Sequence, residues 1–129
     1  MCGFVRYQSP VAAGRLAQAF GVSPVSLVEQ LRRALSGLPA VEQSASRFGG
    51  GRNVAWSVLG REFAHLHSDN LIDLRLPREI QAALRSDLRA RFRKSRSEWV
   101  ELEFHSVEDV EHVARLAREA WAAAKDALR

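Results

Sequence analysis

The sequence contains a single cysteine, Cys2, so no disulfide can form within its 129 residues. Disulfides persist mainly in oxidising compartments, and their exclusion favours a reducing, cytoplasmic setting. No apolar run approaches the ~20 residues that a membrane-spanning helix needs, and the N-terminus lacks the basic-then-apolar pattern of a signal peptide. We therefore expect a cytoplasmic protein without a membrane partner.

Lysine is scarce as well, because only Lys94 and Lys125 occur among 19 basic residues and the rest are arginine. The net charge of +4 suggests a polyanionic partner such as nucleic acid. Abundant arginine with scarce lysine also fits a GC-rich coding bias, so the positions of the arginines are more informative than their number. The composition is otherwise typical of a globular protein, with 47% hydrophobic and 26% charged residues.

Hydrophobic periodicity predicts one α+β domain at residues 11–129, after a tail at 1–10. Helical spacing predicts helices at 23–37, 77–88 and 106–128, with a shorter helical pattern at 11–20. Alternation of apolar and polar residues predicts strands at 41–48, 53–59, 63–67, 71–76, 91–94 and 99–105. This grouping is typical of a mostly antiparallel sheet covered on one side by helices, in the order α-β-β-β-β-α-β-β-α. The apolar stripe of the last helix includes Trp121, which we expect to anchor that helix on the sheet.

Two histidines, His65 and His67, lie two residues apart on a predicted strand, so both project from one face of the sheet. With Asp69-Asn70 as a two-residue turn, the histidines would face the core opposite apolar residues of the next strand. Asp73 would then lie on the other face. A three-residue loop would reverse this pairing.

Two imidazoles suit a metal ion, but the first pairing leaves them without a third ligand. We therefore expect no bound metal, no cofactor, and neutral histidines that are hydrogen-bonded at the edge of the core. A general acid–base role for His65 or His67 with Asp69 is the enzymatic alternative. Nucleophilic catalysis has less support, because no serine lies in a G-x-S-x-G elbow.

Two basic segments offer sites for anions. Three glycines lie between Arg47 and Arg52, and the backbone N–H groups of such a loop can hold an anion, although a flexible hairpin connection explains the same residues. Residues 85–96 concentrate six cations close to Trp99, which suggests a single-stranded nucleic acid. An edge strand protected by charge explains that segment equally well. The candidate nucleic-acid residues are Arg89, Arg91, Arg93, Lys94 and Arg96.

Three stretches resemble the bacterial luciferase-domain family: RFGGGRN, then GREFAHLHSDNLIDLRLPREI, then EWVELEFHSVEDVEHVARLAREAW. The resemblance covers about residues 40–121. The chain departs from the family pattern at Asn70, where a glycine is usual, and at Arg89–Arg96, where the link is usually less basic. The resemblance implies no particular activity, because the family has no settled one. The word luciferase in the family name is not evidence of light emission.

The function that we expect is binding of a small ligand or a protein partner, with an enzyme or an accessory nucleic-acid-binding protein as the alternatives. Nucleic acid is the less favoured partner, because the basic segment contains few aromatic residues. The candidate ligand region is bounded by Arg47, Arg52, His65, His67, Asp69 and Trp99.

Overall fold

The computed structural model describes residues 25–45, 54–93 and 97–127. Within this part the regular elements follow the order that the sequence predicted. The helices are α1 (Val25–Ser36), α2 (Arg78–Ala83) and α3 (Val107–Asp126). The strands are β1 (Val41–Ala45), β2 (Val54–Val58), β3 (Arg61–Ser68), β4 (Leu71–Arg75), β5 (Ala90–Phe92) and β6 (Trp99–Glu103). The helical pattern at 11–20 and the tail at 1–10 lie outside the described residues, and the domain boundaries stay a prediction.

The described strands form one antiparallel sheet in the order β1-β2-β3-β4-β6-β5. Strands β1 to β4 pair with their neighbours in sequence, whereas β5 lies at the edge and pairs only with β6. Helices α1 and α3 pack against each other, and α3 crosses the central strands. The predicted α+β architecture is therefore confirmed. Within the described ranges, no helix is both long enough and apolar enough to cross a membrane.

The hydrophobic core lies between the sheet and the two long helices. Alternate residues of the central strands point into it, because successive side chains of a strand lie on opposite faces. Helix α1 contributes Leu31 and Leu35, and α3 contributes a stripe with helical spacing. The largest fully buried side chains include Trp56, Phe63, Phe104, Ile72, Leu74, Val100 and Leu102.

Two details of the helices differ from the prediction. Helix α2 ends at Ala83 rather than near Leu88, and Leu88 is 97% exposed. The helix stops early because the chain must turn to enter β5, and Asp87 fixes that turn by accepting a hydrogen bond from the Arg89 backbone N–H at 2.9 Å. Trp121 is only partly buried, and its indole N–H donates to the Pro39 carbonyl at 2.9 Å. It therefore joins α3 to the connection between α1 and β1, and it packs against the core without being fully buried.

The start of α3 carries an N-terminal cap. The Ser106 hydroxyl accepts a hydrogen bond from the Asp109 N–H at 3.1 Å, and Asp109 accepts one from the His105 N–H at 2.9 Å. The Arg89 guanidinium donates to both Asp87 and Asp109, at 3.0 Å in each case. Because Asp87 and Asp109 belong to different elements, Arg89 links the turn before β5 to the first turn of α3.

This link predicts a dependence of stability on pH. The hydrogen bond from Arg89 lowers the pKa of Asp87 to about 2, against the opposing effect of burial. A carboxyl group with a lowered pKa stabilises the fold above its unfolded pKa of about 3.9, and loses that effect as pH falls through its folded pKa. We expect the Asp87 contribution to be about 1–2 kcal/mol near neutral pH, after screening of the partly exposed Arg89.

Urea unfolding of the wild type and of Asp87→Asn at pH 6, 3 and 2 measures this contribution. The two proteins should differ most at pH 6 and converge towards pH 2, because the carboxyl group is then protonated in the unfolded state and about half protonated in the folded state. A difference in unfolding free energy that stays constant from pH 6 to pH 2 would contradict the link.

Candidate functional site

The sheet face turned away from the helices carries a row of polar side chains. Ile72 and Leu74 point into the core, so Asp73 between them points to the opposite face. Asp73 pairs with His65 of β3 on one side and with Glu101 of β6 on the other. Directly opposed side chains of neighbouring strands have Cβ atoms about 4.5–5.5 Å apart. These three residues therefore form the centre of one cluster.

A bulge in β3 decides which residues meet in this cluster. The predicted turn at Asp69-Asn70 is present, but the pairing of β3 with β4 shifts by one residue between Leu66 and Ser68. A single extra residue in one strand reverses which side chains share a face. As a result His65 lies opposite Asp73, and the prediction that Asp73 lies on the other face from the histidines is wrong.

A second bulge brings Glu62 to the same cluster. The pairing of β3 with β2 shifts between Trp56 and Ser57, so that β3 has one extra residue at Phe63. Glu62 and His65, three residues apart, would lie on opposite faces of a regular strand. In this structure the His65 Nδ1 and the Glu62 Oε2 are 3.0 Å apart.

Asp73 is the centre of the cluster and is fully buried. Three nitrogen atoms approach its Oδ2: His65 Nε2 at 2.7 Å, Arg93 Nη2 at 3.0 Å and His67 Nδ1 at 3.3 Å. Burial alone would raise the pKa of Asp73, but the hydrogen bonds from the two histidines and the charge of Arg93 outweigh it, so this pKa lies below its usual range. The Oδ1 atom is buried without a hydrogen-bond partner among the described residues.

His65 and His67 occupy different environments within the cluster. His65 is buried, with a carboxylate near each ring nitrogen, and the Trp99 ring lies 4.7 Å from it between centroids. The His67 side chain is 48% exposed, and its Nδ1 lies 3.8 Å from Glu101 as well as near Asp73. His65 is thus buried inside the cluster, whereas His67 is accessible from solvent.

The structure brings together only part of the predicted ligand region. His65, His67 and Trp99 lie together, whereas Asp69 is exposed in the hairpin turn and Asp73 supplies the carboxylate. Arg47, Arg52, Lys94 and Arg96 lie outside the described residues. The sequence reasoning missed Glu62 and Glu101 as members of the site. Outward alternation on β6 was a usable signal for Glu101, but no sequence signal marked the bulge that turns Glu62.

The comparison with known families agrees with the resemblance. Residues 60–120 match the family model described as Luciferase domain. This segment belongs to the luciferase-domain family. The match begins after the glycine-rich RFGGGRN, so that stretch of the resemblance lies outside it. No curated protein and no solved structure matches the chain. Every residue of the polar cluster falls within the luciferase-domain segment.

Proposed function

We propose that the luciferase-domain segment is a binding module that takes a small anionic ligand on the polar face of its sheet. The proposal depends on how deeply the hydrogen-bond donors and the carboxylates of this face are buried. The side chains of His67 and Arg93 are 48% and 45% exposed, whereas Asp73 is fully buried and Glu101 is 21% exposed. A ligand that approaches from solvent therefore meets hydrogen-bond donors before it meets carboxylates.

The buried carboxylates also hold these donors in place. Asp73 contacts the Nδ1 of His67, which leaves the Nε2 of that ring without a partner among the described residues. Arg93 contacts Asp73 and Glu101 through one terminal nitrogen, Nη2. Because a guanidinium has five N–H donors, others remain for a ligand. Donors that are already oriented lose less conformational entropy when a ligand binds.

Trp99 borders this surface and supplies an apolar wall. Its ring contacts His65 on one side, and the Arg75 guanidinium lies 4.9 Å from the ring centroid. A small organic carboxylate or phosphate fits these features, as does an acidic side chain of a protein partner. We also propose a cytoplasmic location, supported by the lone cysteine.

Calorimetric titration with malonate and inorganic phosphate tests the proposal, at low ionic strength and in the presence of EDTA. Two charge-assisted hydrogen bonds support a dissociation constant on the order of 1 mM. Arg93→Gln should weaken binding at least fivefold. Arg33→Gln is the matched control, because Arg33 is an exposed arginine of α1 that pairs only with Glu29 in the described part of the chain. The proposal fails if neither anion binds, or if the two variants bind alike.

A second candidate function is general acid–base catalysis by His67. The observation in its favour is the contact of His67 Nδ1 with a buried carboxylate, which orients a ring whose side chain is 48% exposed. In this mechanism Asp73 replaces Asp69 as the partner of the histidine. Turnover of chromogenic esters and phosphoesters, lowered about 10²–10⁴-fold in His67→Gln, would support it. Equal turnover by the wild type and the variant would exclude it for those substrates.

The nucleic-acid alternative has less support, because three of the four described arginines of residues 85–96 contact acidic residues. Arg89 contacts Asp87 and Asp109, Arg91 contacts Glu103, and Arg93 contacts Asp73 and Glu101. Each of these carboxylates offsets positive charge, which a polyanion needs at several phosphates at once. The arginines therefore offer less to a polyanion than their number suggests.

We predict weak, sequence-independent binding of oligonucleotides that disappears near physiological salt. If Arg91 or Arg93 neutralises a phosphate, its substitution should reduce the slope of log affinity against log salt by about 0.7–0.9. Fluorescence anisotropy with a labelled single strand and a duplex, at several salt concentrations, measures both the affinity and this slope. Tight binding of one sequence at physiological salt would make nucleic acid the preferred partner.

A further inference from the structure

We propose that His67, Asp73 and Glu101 form a binding site for a divalent transition-metal ion, and that Arg93 is the internal cation that takes the place of the metal when none is bound. The expectation of no metal depended on a strand pairing that separated Asp73 from the histidines. The bulge in β3 brings them together. The missing third ligand is therefore present.

The distances suit a metal ion. One ligand atom from each of the three residues lies within 4.8 Å of the other two. His67 Nδ1 is 3.3 Å from Asp73 Oδ2 and 3.8 Å from Glu101 Oε2. Neighbouring ligands around a tetrahedral ion with bonds of ~2.1 Å lie ~3.4 Å apart. A small movement of the three side chains towards one another would allow all three to bind one ion.

The buried oxygen of Asp73 is an independent observation that points to a ligand. Asp73 is fully buried, and its Oδ1 has no hydrogen-bond partner among the described residues. A buried carboxylate oxygen without a partner is costly, and a metal ion bound by both oxygens of Asp73 would satisfy it. His65 contacts the other oxygen at 2.7 Å, as residues around metal sites commonly do when they orient a ligating carboxylate.

The donor set indicates the class of ion. One imidazole nitrogen and two carboxylate oxygens suit Zn²⁺, Co²⁺ or Mn²⁺, with water or an anion at the remaining positions. Ca²⁺ takes 6–8 oxygen ligands, which this cluster does not supply from the described residues. The three ligands lie on adjacent strands, which hold them at the spacing of the sheet.

Arg93 marks where the ion would sit. Its Nη2 lies 3.0 Å from Asp73 Oδ2 and 3.4 Å from Glu101 Oε2, so one positive group already bridges the two carboxylates. The Arg93 side chain is 45% exposed and can move outwards into solvent. A metal ion must displace this guanidinium, so the apparent affinity is lower than the affinity of the open site. Removal of the arginine should therefore strengthen metal binding.

The test is calorimetric titration of EDTA-treated protein with ZnCl₂ and CoCl₂, together with thermal unfolding at each metal concentration. The wild type should bind one ion per chain, and Arg93→Gln should bind it at least tenfold more tightly. His67→Gln and Glu101→Gln should each lose at least tenfold, and both positions are exposed enough for the fold to survive. The control is His105→Gln, because His105 contacts Glu103 at 3.1 Å without a third ligand nearby in the described part of the chain.

Thermal unfolding separates this site from non-specific binding. Arg93→Gln without metal should unfold at a lower temperature than the wild type, because Asp73 loses a charged partner, and metal should restore the midpoint. The proposal is overturned if neither the wild type nor Arg93→Gln binds an ion, or if His67→Gln and Glu101→Gln bind as tightly as the wild type. Arg93→Gln also separates the two proposals, since it should weaken the anion in EDTA and strengthen the metal.

Discussion

Replacement of His65 by leucine is expected to lower the free energy of unfolding by about 3–5 kcal/mol, although leucine is similar in size and more apolar. His65 is buried, and its Nε2 lies 2.7 Å from the fully buried Asp73. Without that nitrogen, the carboxylate loses the nearest of its three partners while it stays buried. Removal of a hydrogen-bond partner from a buried carboxylate is costly, because the remaining charge is left with less compensation.

Urea unfolding of His65→Leu and of His67→Leu measures the difference between the two histidines. His67 lies 3.3 Å from the same carboxylate oxygen, but its side chain is half exposed and water can replace it. We expect a loss below about 1 kcal/mol in His67→Leu. In His65→Leu/Asp73→Leu the buried carboxylate is absent too, so part of the stability should return. Equal losses in the two single variants would show that Asp73 does not depend on His65.

Trp56→Ala is expected to cost about 3–5 kcal/mol as well, because it removes the largest side chain of the core. Trp56 is completely buried on the helix side of β2, and its indole N–H donates to the Ser36 hydroxyl at 3.2 Å. The substitution would leave a cavity between the sheet and α1. It would also leave Ser36 without that donor.

Trp121→Ala provides the comparison for this second prediction. The Trp121 ring is only partly buried at the end of the core, next to Lys125. We expect its removal to cost less than that of Trp56, about 1–2 kcal/mol for partial burial and one hydrogen bond. Midpoints of thermal unfolding rank the two variants. If Trp121→Ala unfolds at the lower temperature, then the anchoring role that the sequence suggested for Trp121 is the better description.

The two tryptophans illustrate which parts of the fold could be predicted. Alternation predicted the strand at 53–59, which contributes Trp56 and Val58 to the core, and helical spacing predicted the helix at 106–128, which contributes Val110 and Val113. Periodicity identifies the buried stripe of an element but not the depth of each residue within it. Trp121 belongs to the apolar stripe of α3, but it lies at the margin of the core. The depth of a side chain depends on where neighbouring elements end, and sequence pattern does not contain that information.

The candidate site was only partly predictable, and the reason is local. The hairpin and its turn followed from the sequence, and so did the choice of His65 and His67 as candidate residues. The partners of the histidines did not, because a bulge adds one residue to a strand without a distinctive residue type to mark it. Neither Phe63 nor His67 is typical of a turn. An interpretation based on regular pairing therefore placed Asp73 on the wrong face.

The bulges in β3 also make the length of this strand critical. The strand has eight residues between the turns at 59–60 and 69–70, and it gains one extra residue against each neighbour. Deletion of Phe63 would remove the extra residue against β2 together with a fully buried side chain of the core. Insertion of a residue after Leu66 would separate the histidines from each other. We therefore expect single-residue insertions and deletions to be tolerated at the two turns and rejected within β3. This should hold even at positions of β3 where a substitution is tolerated.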